Sequence, residues 1–252
     1  ETSENELEAS AAFEPGTPAC LPMGLVTLAH FEAALREAAV AEADCVLIGG
    51  LSVAAWSQHF GITPDDGNNA AFYSKDLDLR GDKPAAYLLG RILREQGYRI
   101  VGLTTVLRKE PPGLGRNFIV SVDMGDLGTI SVEVLEKMAL VDSPDLPPQG
   151  FALELAGSRI LDPLSLMIGK IHAFNHRPAG TANKDAVHLG LLARIIPQFI
   201  PEARERGLAA ETAERCRALD AIMATWRVPF EAAELEAFRS VLREGASSSS
   251  PP

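Results

Sequence analysis

Apolar and polar positions along the 252-residue chain follow two different rhythms. Between Leu25 and about Ala43, Leu28, Phe31, Leu35 and Val40 recur at helical spacing and predict an amphipathic helix. The run Cys45-Val46-Leu47-Ile48 is continuously apolar and stops at Gly49-Gly50, the pattern of a buried strand entering a tight turn. LSVAAWSQHF (51–60) then predicts a helix, and 61–72 a polar loop. Over 74–81, Leu77 and Leu79 alternate with Asp76 and Asp78, which predicts a strand with one apolar and one acidic face. A helix at 84–96 opens on Pro84 near its first turn. Strands are expected at 98–108, 117–124 and 129–136, the last two joined by the hairpin signal GDLG (125–128).

Beyond a Pro-rich stretch (142–150) the rhythm is helical, with helices predicted at 163–176, 183–196, 210–226 and 230–243 and Pro163, Pro197, Pro201 and Pro229 as punctuation. The expected organisation is a flexible segment at 1–22, an α/β domain at 23–150, a helical domain at 151–244 and a disordered low-complexity tail, GASSSSPP, at 245–252.

Composition narrows the function classes. At 46% hydrophobic residues the chain is too apolar to remain disordered. It lacks the run of about 18 apolar residues that a membrane span needs. A net charge of −11 argues against sequence-blind nucleic-acid binding, which runs on many Lys/Arg–phosphate contacts. Cys20, Cys45 and Cys216 fit neither a disulfide framework nor a metal spacing, and no secretory signal is seen, so a cytoplasmic location is expected.

Other residues read as structural. His172 and His176 have the i,i+4 spacing of a zinc pair, but Ala173-Phe174-Asn175 between them lacks the glutamate of a metalloprotease helix, so they read as positions on a helix flank. Trp56 and Trp226 read as core. The cations Arg91, Arg94, Arg99, Arg108, Lys109 and Arg116 read either as a solvated face or as the edge of a groove for an RNA acceptor.

The chemistry concentrates in two places. Asp76 and Asp78 lie on one face of a strand with Cα atoms roughly 6.5–7 Å apart. Such a pair suits Mg²⁺, which takes one or two carboxylates plus substrate phosphates, and so suits phosphoryl or nucleotidyl transfer. Gly49-Gly50, closing a strand and opening a helix, offers backbone N–H groups to phosphate, with the Ser52 hydroxyl nearby.

A strand ending in Gly-Gly, a helix, a loop, then Asp76-Leu77-Asp78-Leu79 resembles the signature of the nucleotidyltransferase superfamily with the polymerase-β-type fold. That resemblance implies a third carboxylate on a neighbouring strand. Glu133 is the candidate, with Asp123 as the alternative and Glu136 off the face. Further on, DPLSLMIGKIHAFNHRPAGTANKDAVHL (162–189) looks like the K…R…KD signature of the AbiEii-type nucleotidyltransferases, the toxin halves of type IV toxin–antitoxin systems. In this chain Ser74-Lys75 precede the acidic pair where that family often has Arg and Ser, and His188 stands where an acid often follows. The resemblance implies that Lys170 and Arg177 face nucleotide phosphates and that Lys184 and Asp185 form the KD pair.

The expectation is therefore an α/β fold: a nucleotidyltransferase-type mixed sheet with flanking helices, followed by a helical half, with the active site in the cleft between. Asp76, Asp78 and Glu133 would be catalytic and hold two Mg²⁺. Gly49, Gly50, Ser52, Lys170 and Arg177 would bind the NTP co-substrate. The acceptor hydroxyl would belong to a tRNA 3′ end, a protein or a small molecule, and a cognate antitoxin is a possible partner. The rival expectation is a non-catalytic nucleotide-binding or protein-interaction module that retains the fold.

Overall fold

The computed structural model describes residues 25–41, 44–64, 69–107, 115–138, 141–142, 151–177 and 182–247. The expectations for segment 1–22, for Cys20, for Arg108 and Lys109, for most of the Pro-rich stretch and for the last five residues lie outside that set. A short 3₁₀ turn (Leu28–His30) leads into α1 (Glu32–Val40), β1 (Val46–Leu47) and α2 (Gly49–His59). Then follow β2 (Asp76–Arg80), α3 (Lys83–Glu95), β3 (Arg99–Leu107), β4 (Arg116–Asp123) and β5 (Thr129–Leu135). A hairpin, β6 (Ala152–Leu155) and β7 (Ser158–Leu161), precedes α4 (Pro163–His176), α5 (Ala182–Glu205), α6 (Ala209–Thr225) and α7 (Ala232–Ser247).

The fold class is as expected, mixed α/β with a helical C-terminal half. Seven strands form one sheet in the order β3-β4-β5-β2-β1-β7-β6. β2 runs parallel to β5 and antiparallel to β1, and β1 runs parallel to β7. Side-chain alternation divides the sheet. Leu77, Leu79, Phe118, Val120, Val122, Val132 and Val134 are buried on one face, covered by Ala86, Leu89 and Leu93 of α3. That helix starts where Asp82 accepts a hydrogen bond from the Ala85 backbone at 2.9 Å, and Pro84 occupies its first turn. The opposite face carries Asp76, Asp78 and Glu133 toward α4.

Four departures from the sequence expectations have local causes. The helix expected from Leu25 begins only at Glu32, because Val26 is extended and exchanges two backbone hydrogen bonds with Ser74. The hairpin at 152–161 was not foreseen. Its turn residues Ala156 and Gly157 have φ of +52° and +76°, the two-residue turn that matches strand twist, but Ala-Gly is a weak signal for it. The hairpin extends the sheet, so these residues belong structurally with the α/β half. α5 does not stop before Pro197 but continues through Pro197 and Pro201. A proline inside a helix costs about 3 kcal/mol, yet Ile195, Ile196, Phe199, Ile200 and Ala203 keep one stripe buried, at roughly 1.5–3 kcal/mol for each large side chain. Finally, α7 reaches Ser247, inside the expected tail, because Gly245 packs against Cys216 and Ile200.

One hydrophobic core joins the two halves. At its centre the Trp56 indole donates to the Leu161 carbonyl at 2.9 Å and meets Phe199 edge-on at 5.4 Å. Cys45 and Cys216 are buried free thiols, pushed up to about 12 chiefly by burial. Among the described residues no helix is long and apolar enough to cross a membrane.

Candidate active site

Asp78 and Glu133 are direct partners in the parallel β2–β5 ladder, as are Asp76 and Ser131. Partners across a ladder point to the same face, so the register places Glu133 beside Asp78. The β1–α2 turn closes on the same spot: the Ile48 amide donates to the Asp78 carbonyl at 3.0 Å. Gly49 follows with φ +75°, and a Cβ there would overlap the Asp78 carboxylate. Glycine at this position is thus required twice, by backbone conformation and by space.

Electrostatics mark Asp78 as the tightest point. Burial, then the neighbouring Asp76 and Glu133 carboxylates, raise it to about 7 against the pull of Lys170 and Arg177. Asp76, half-buried at the start of β2, accepts from the Ser74 hydroxyl at 2.9 Å.

The cations arrive on the helical half. Asp162 starts α4 by accepting from the Ser165 amide at 2.8 Å. Two turns on, Lys170 donates to Asp185 at 3.1 Å, and Arg177 at the end of α4 donates to the other oxygen of the same carboxylate at 3.0 Å. Asp185 is 1% exposed and Lys170 11%, whereas Arg177 is 54% exposed. The buried acid therefore holds one cation at the cleft wall and another at its mouth.

Lys184 and His188 of α5 face the other way, onto the loop before β2. Lys184 donates to the Tyr73 carbonyl and His188 Nε2 to the Ala71 carbonyl, the latter at 2.9 Å. Burial lowers Lys184, with Lys170 adding to the effect. His188 is lowered to about 3, chiefly by burial and then by Lys170, so it is neutral near pH 7. A Cβ on Gly50 would come within 3.1 Å of the His188 ring, so this glycine lets α5 close over α2.

Of the residues singled out from sequence, Gly49, Asp78, Glu133, Lys170 and Arg177 line one cleft, together with Ile48, Asn117, Leu135, Met138 and His172. Asp76, Gly50 and Ser52 do not belong to that lining. Asp76 lies two residues before Asp78 on the same strand face, and Gly50 is buried under His188. Ser52 is fully buried behind the turn and its hydroxyl donates to the Gly49 carbonyl at 2.7 Å, bracing the turn from inside. Asp123 lies at the hairpin end and pairs with Arg99 at 3.0 Å, while Glu136 accepts from the Arg116 amide at 2.7 Å. The sequence reading missed the bridging role of Asp185, although the K…R…KD spacing carried the signal, and it missed Asn117.

As donors for a divalent cation, Asp78 and Glu133 offer the hard oxygens Mg²⁺ takes; Asp78 is raised first by burial and then by its acidic neighbours, and a cation there would favour its charged form. Among the described residues, no three His, Cys, Asp or Glu side chains are already drawn together around one point. The donor set fits such an ion in the chemistry of its oxygens.

No protein-family model and no curated protein sequence matches the chain. Solved structures do show similarity. JHP933 from Helicobacter pylori is 16% identical over 86% of this chain and 90% of its own, with a TM-score of 0.39. ANT(2")-Ia, solved in complex with adenylyl-2"-tobramycin, is 15% identical over 86% and 97%, with a TM-score of 0.41. The Megavirus polyadenylate synthase is 11% identical over 69% of this chain and 37% of that one, also with a TM-score of 0.41.

Proposed function

We propose that the protein is a Mg²⁺-dependent nucleotidyltransferase that moves a nucleoside monophosphate from an NTP to a hydroxyl acceptor. The observation that carries this reading is the ladder register of Asp78 with Glu133, facing Lys170 and Arg177 across one cleft whose wall is the bare Gly49 turn. Carboxylates on one side and cations on the other suit a polyphosphate bridged to the protein through metal.

Asp76, Asp78 and Glu133 would hold the metal, which when bound supplies Lewis-acid activation of the acceptor oxygen and stabilises the leaving pyrophosphate. A carboxylate of this set accepts the acceptor's proton. The acceptor oxygen then forms its bond to the α-phosphorus as the bond from that phosphorus to the bridging oxygen breaks. Lys170 and Arg177 neutralise charge on the departing pyrophosphate. The Gly49-Gly50 amides at the start of α2 favour an anion there.

The acceptor is a tRNA 3′ end, a protein hydroxyl or a small molecule. A toxin role with a cognate antitoxin rests on the family resemblance alone. The rival reading is a non-catalytic nucleotide-binding module that keeps the same cleft.

Incubation with each α-labelled NTP, Mg²⁺ and total cell RNA, with Asp76→Asn as control, tests the proposal. Label entering RNA only when Asp76 is intact supports transfer to an RNA acceptor. NTP binding without label on any acceptor, when the incubation is repeated with whole-cell extract to supply protein and small-molecule acceptors, overturns catalysis and leaves the binding module.

A further inference from the structure

His172, His176 and Trp226 make a stepped aromatic surface that leads out of the cleft along α4. His172 lines the cleft, and His176, one helical turn later, is exposed. Their rings stack with centroids 4.1 Å apart and planes 19° from parallel. Trp226, at the end of α6, closes against both rings at 5.9 and 5.4 Å.

The surface is held in place before any ligand arrives. Asn175 donates at 2.8 Å both to the Ile171 carbonyl of its own helix and to the Arg227 carbonyl next to Trp226. The Arg227 guanidinium lies 5.0 Å from the Phe174 ring centre, which fastens the same segment to α4. His176 Nδ1 donates to the His172 carbonyl at 2.9 Å, fixing its ring.

Distance along the helix relates this surface to the phosphate end of the cleft. An α-helix rises about 1.5 Å and turns about 100° per residue, so His172 and His176 stand about 3 and 9 Å further along α4 than Lys170 and roughly 160° and 120° round from it, across cleft-lining Ala173. A nucleotide would span that separation with its ribose and α-phosphate lying over Ala173. With His176 exposed at its outer end, an aromatic surface of this kind suits a flat aromatic ligand better than a sugar or a peptide.

We propose that the His172–His176–Trp226 stack is the platform for the base of the NTP, an inference that rests on the nucleotidyltransferase reading. Every base has a π-face, so the platform accepts all four NTPs and favours purines for their larger area.

Intrinsic fluorescence gives a direct test. The chain has two tryptophans, and Trp56 is fully buried in the core, so Trp226 reports on the platform. ATP with Mg²⁺ is expected to quench Trp226, while tripolyphosphate with Mg²⁺ binds without quenching. Substituting the exposed His176 (H176A) should weaken ATP binding about 10-fold and leave tripolyphosphate affinity unchanged. Trp226→Ala should do the same, with its tripolyphosphate affinity showing that it has folded. If ATP and tripolyphosphate bind equally well, and the variants change neither, the platform is overturned while the nucleotide-binding reading stands. If neither ligand binds the unaltered protein, that reading fails and the platform with it.

Discussion

Lys170 and Asp185, fifteen residues apart in sequence, meet at 3.1 Å behind the cleft wall, with the carboxylate almost wholly buried. A buried ion pair is weak evidence of net stabilisation, but removing one partner strands the other charge. Asp185→Ala should therefore cost about 3 kcal/mol in urea unfolding. Adding Lys170→Met should restore part of that loss, because the stranded cation is gone. Equal stability of the single and double variants would mean that the pair does not set the position of α4.

Asp78 gives a pH signature that needs no assay of activity. Its folded-state pKa, about 7, lies above the ordinary carboxylate value, so between roughly pH 4 and 7 the folded protein holds a proton that the unfolded chain releases. Stability contributed by this group is full at low pH and is lost as pH rises through about 7. In metal-free buffer Asp78→Asn should flatten that part of the curve and be roughly 2–4 kcal/mol more stable than the unaltered protein at pH 8.5. A Tm that falls with the same slope in both proteins would assign the effect elsewhere. Added Mg²⁺ should raise the Tm of the unaltered protein above pH 7 and leave the variant nearly unmoved.

The parts of this molecule that were legible in sequence are those where local pattern and tertiary role agree. Strict alternation at Asp76–Leu79 gave β2 its two faces, and the same alternation in ISVEVLE put Glu133 on the acidic side. Whether Glu133 or Asp123 stands beside Asp78 depends on ladder register, which the strand pattern alone does not fix. The β6–β7 hairpin was illegible because its turn carries no strong signal, and α5 was cut short because burial outweighed two prolines. Ser52 shows a further limit. A hydroxyl three residues past a glycine turn has two partners within reach, and only the packed structure shows that it chose its own backbone.

Gly49 and Gly61 form a natural comparison. Both have positive φ, +75° and +63°, but a Cβ on Gly61 meets nothing within 4 Å, whereas one on Gly49 would strike Asp78. Gly61→Ala should cost only the backbone penalty, about 1 kcal/mol. Gly49→Ala should cost at least about 2 kcal/mol and displace the Asp78 carboxylate, abolishing transfer. Unfolding curves and NTP turnover on the two variants check this. Equal losses of activity would show that strain, not the position of Asp78, controls the site.

Ser52→Ala separates the two roles open to this hydroxyl. In the structure it donates to the Gly49 carbonyl from a fully buried position, so its removal leaves that carbonyl short of a partner and should lower stability by about 1 kcal/mol. Were it a phosphate ligand, the same substitution would mainly weaken triphosphate binding. We expect the Tm to drop by a few degrees, with tripolyphosphate affinity changed less than two-fold. The opposite pattern, an unchanged Tm with markedly weaker tripolyphosphate binding, would mean that Ser52 turns outward when the cleft is loaded. The Gly49-Gly50 turn would then be a part that rearranges on binding.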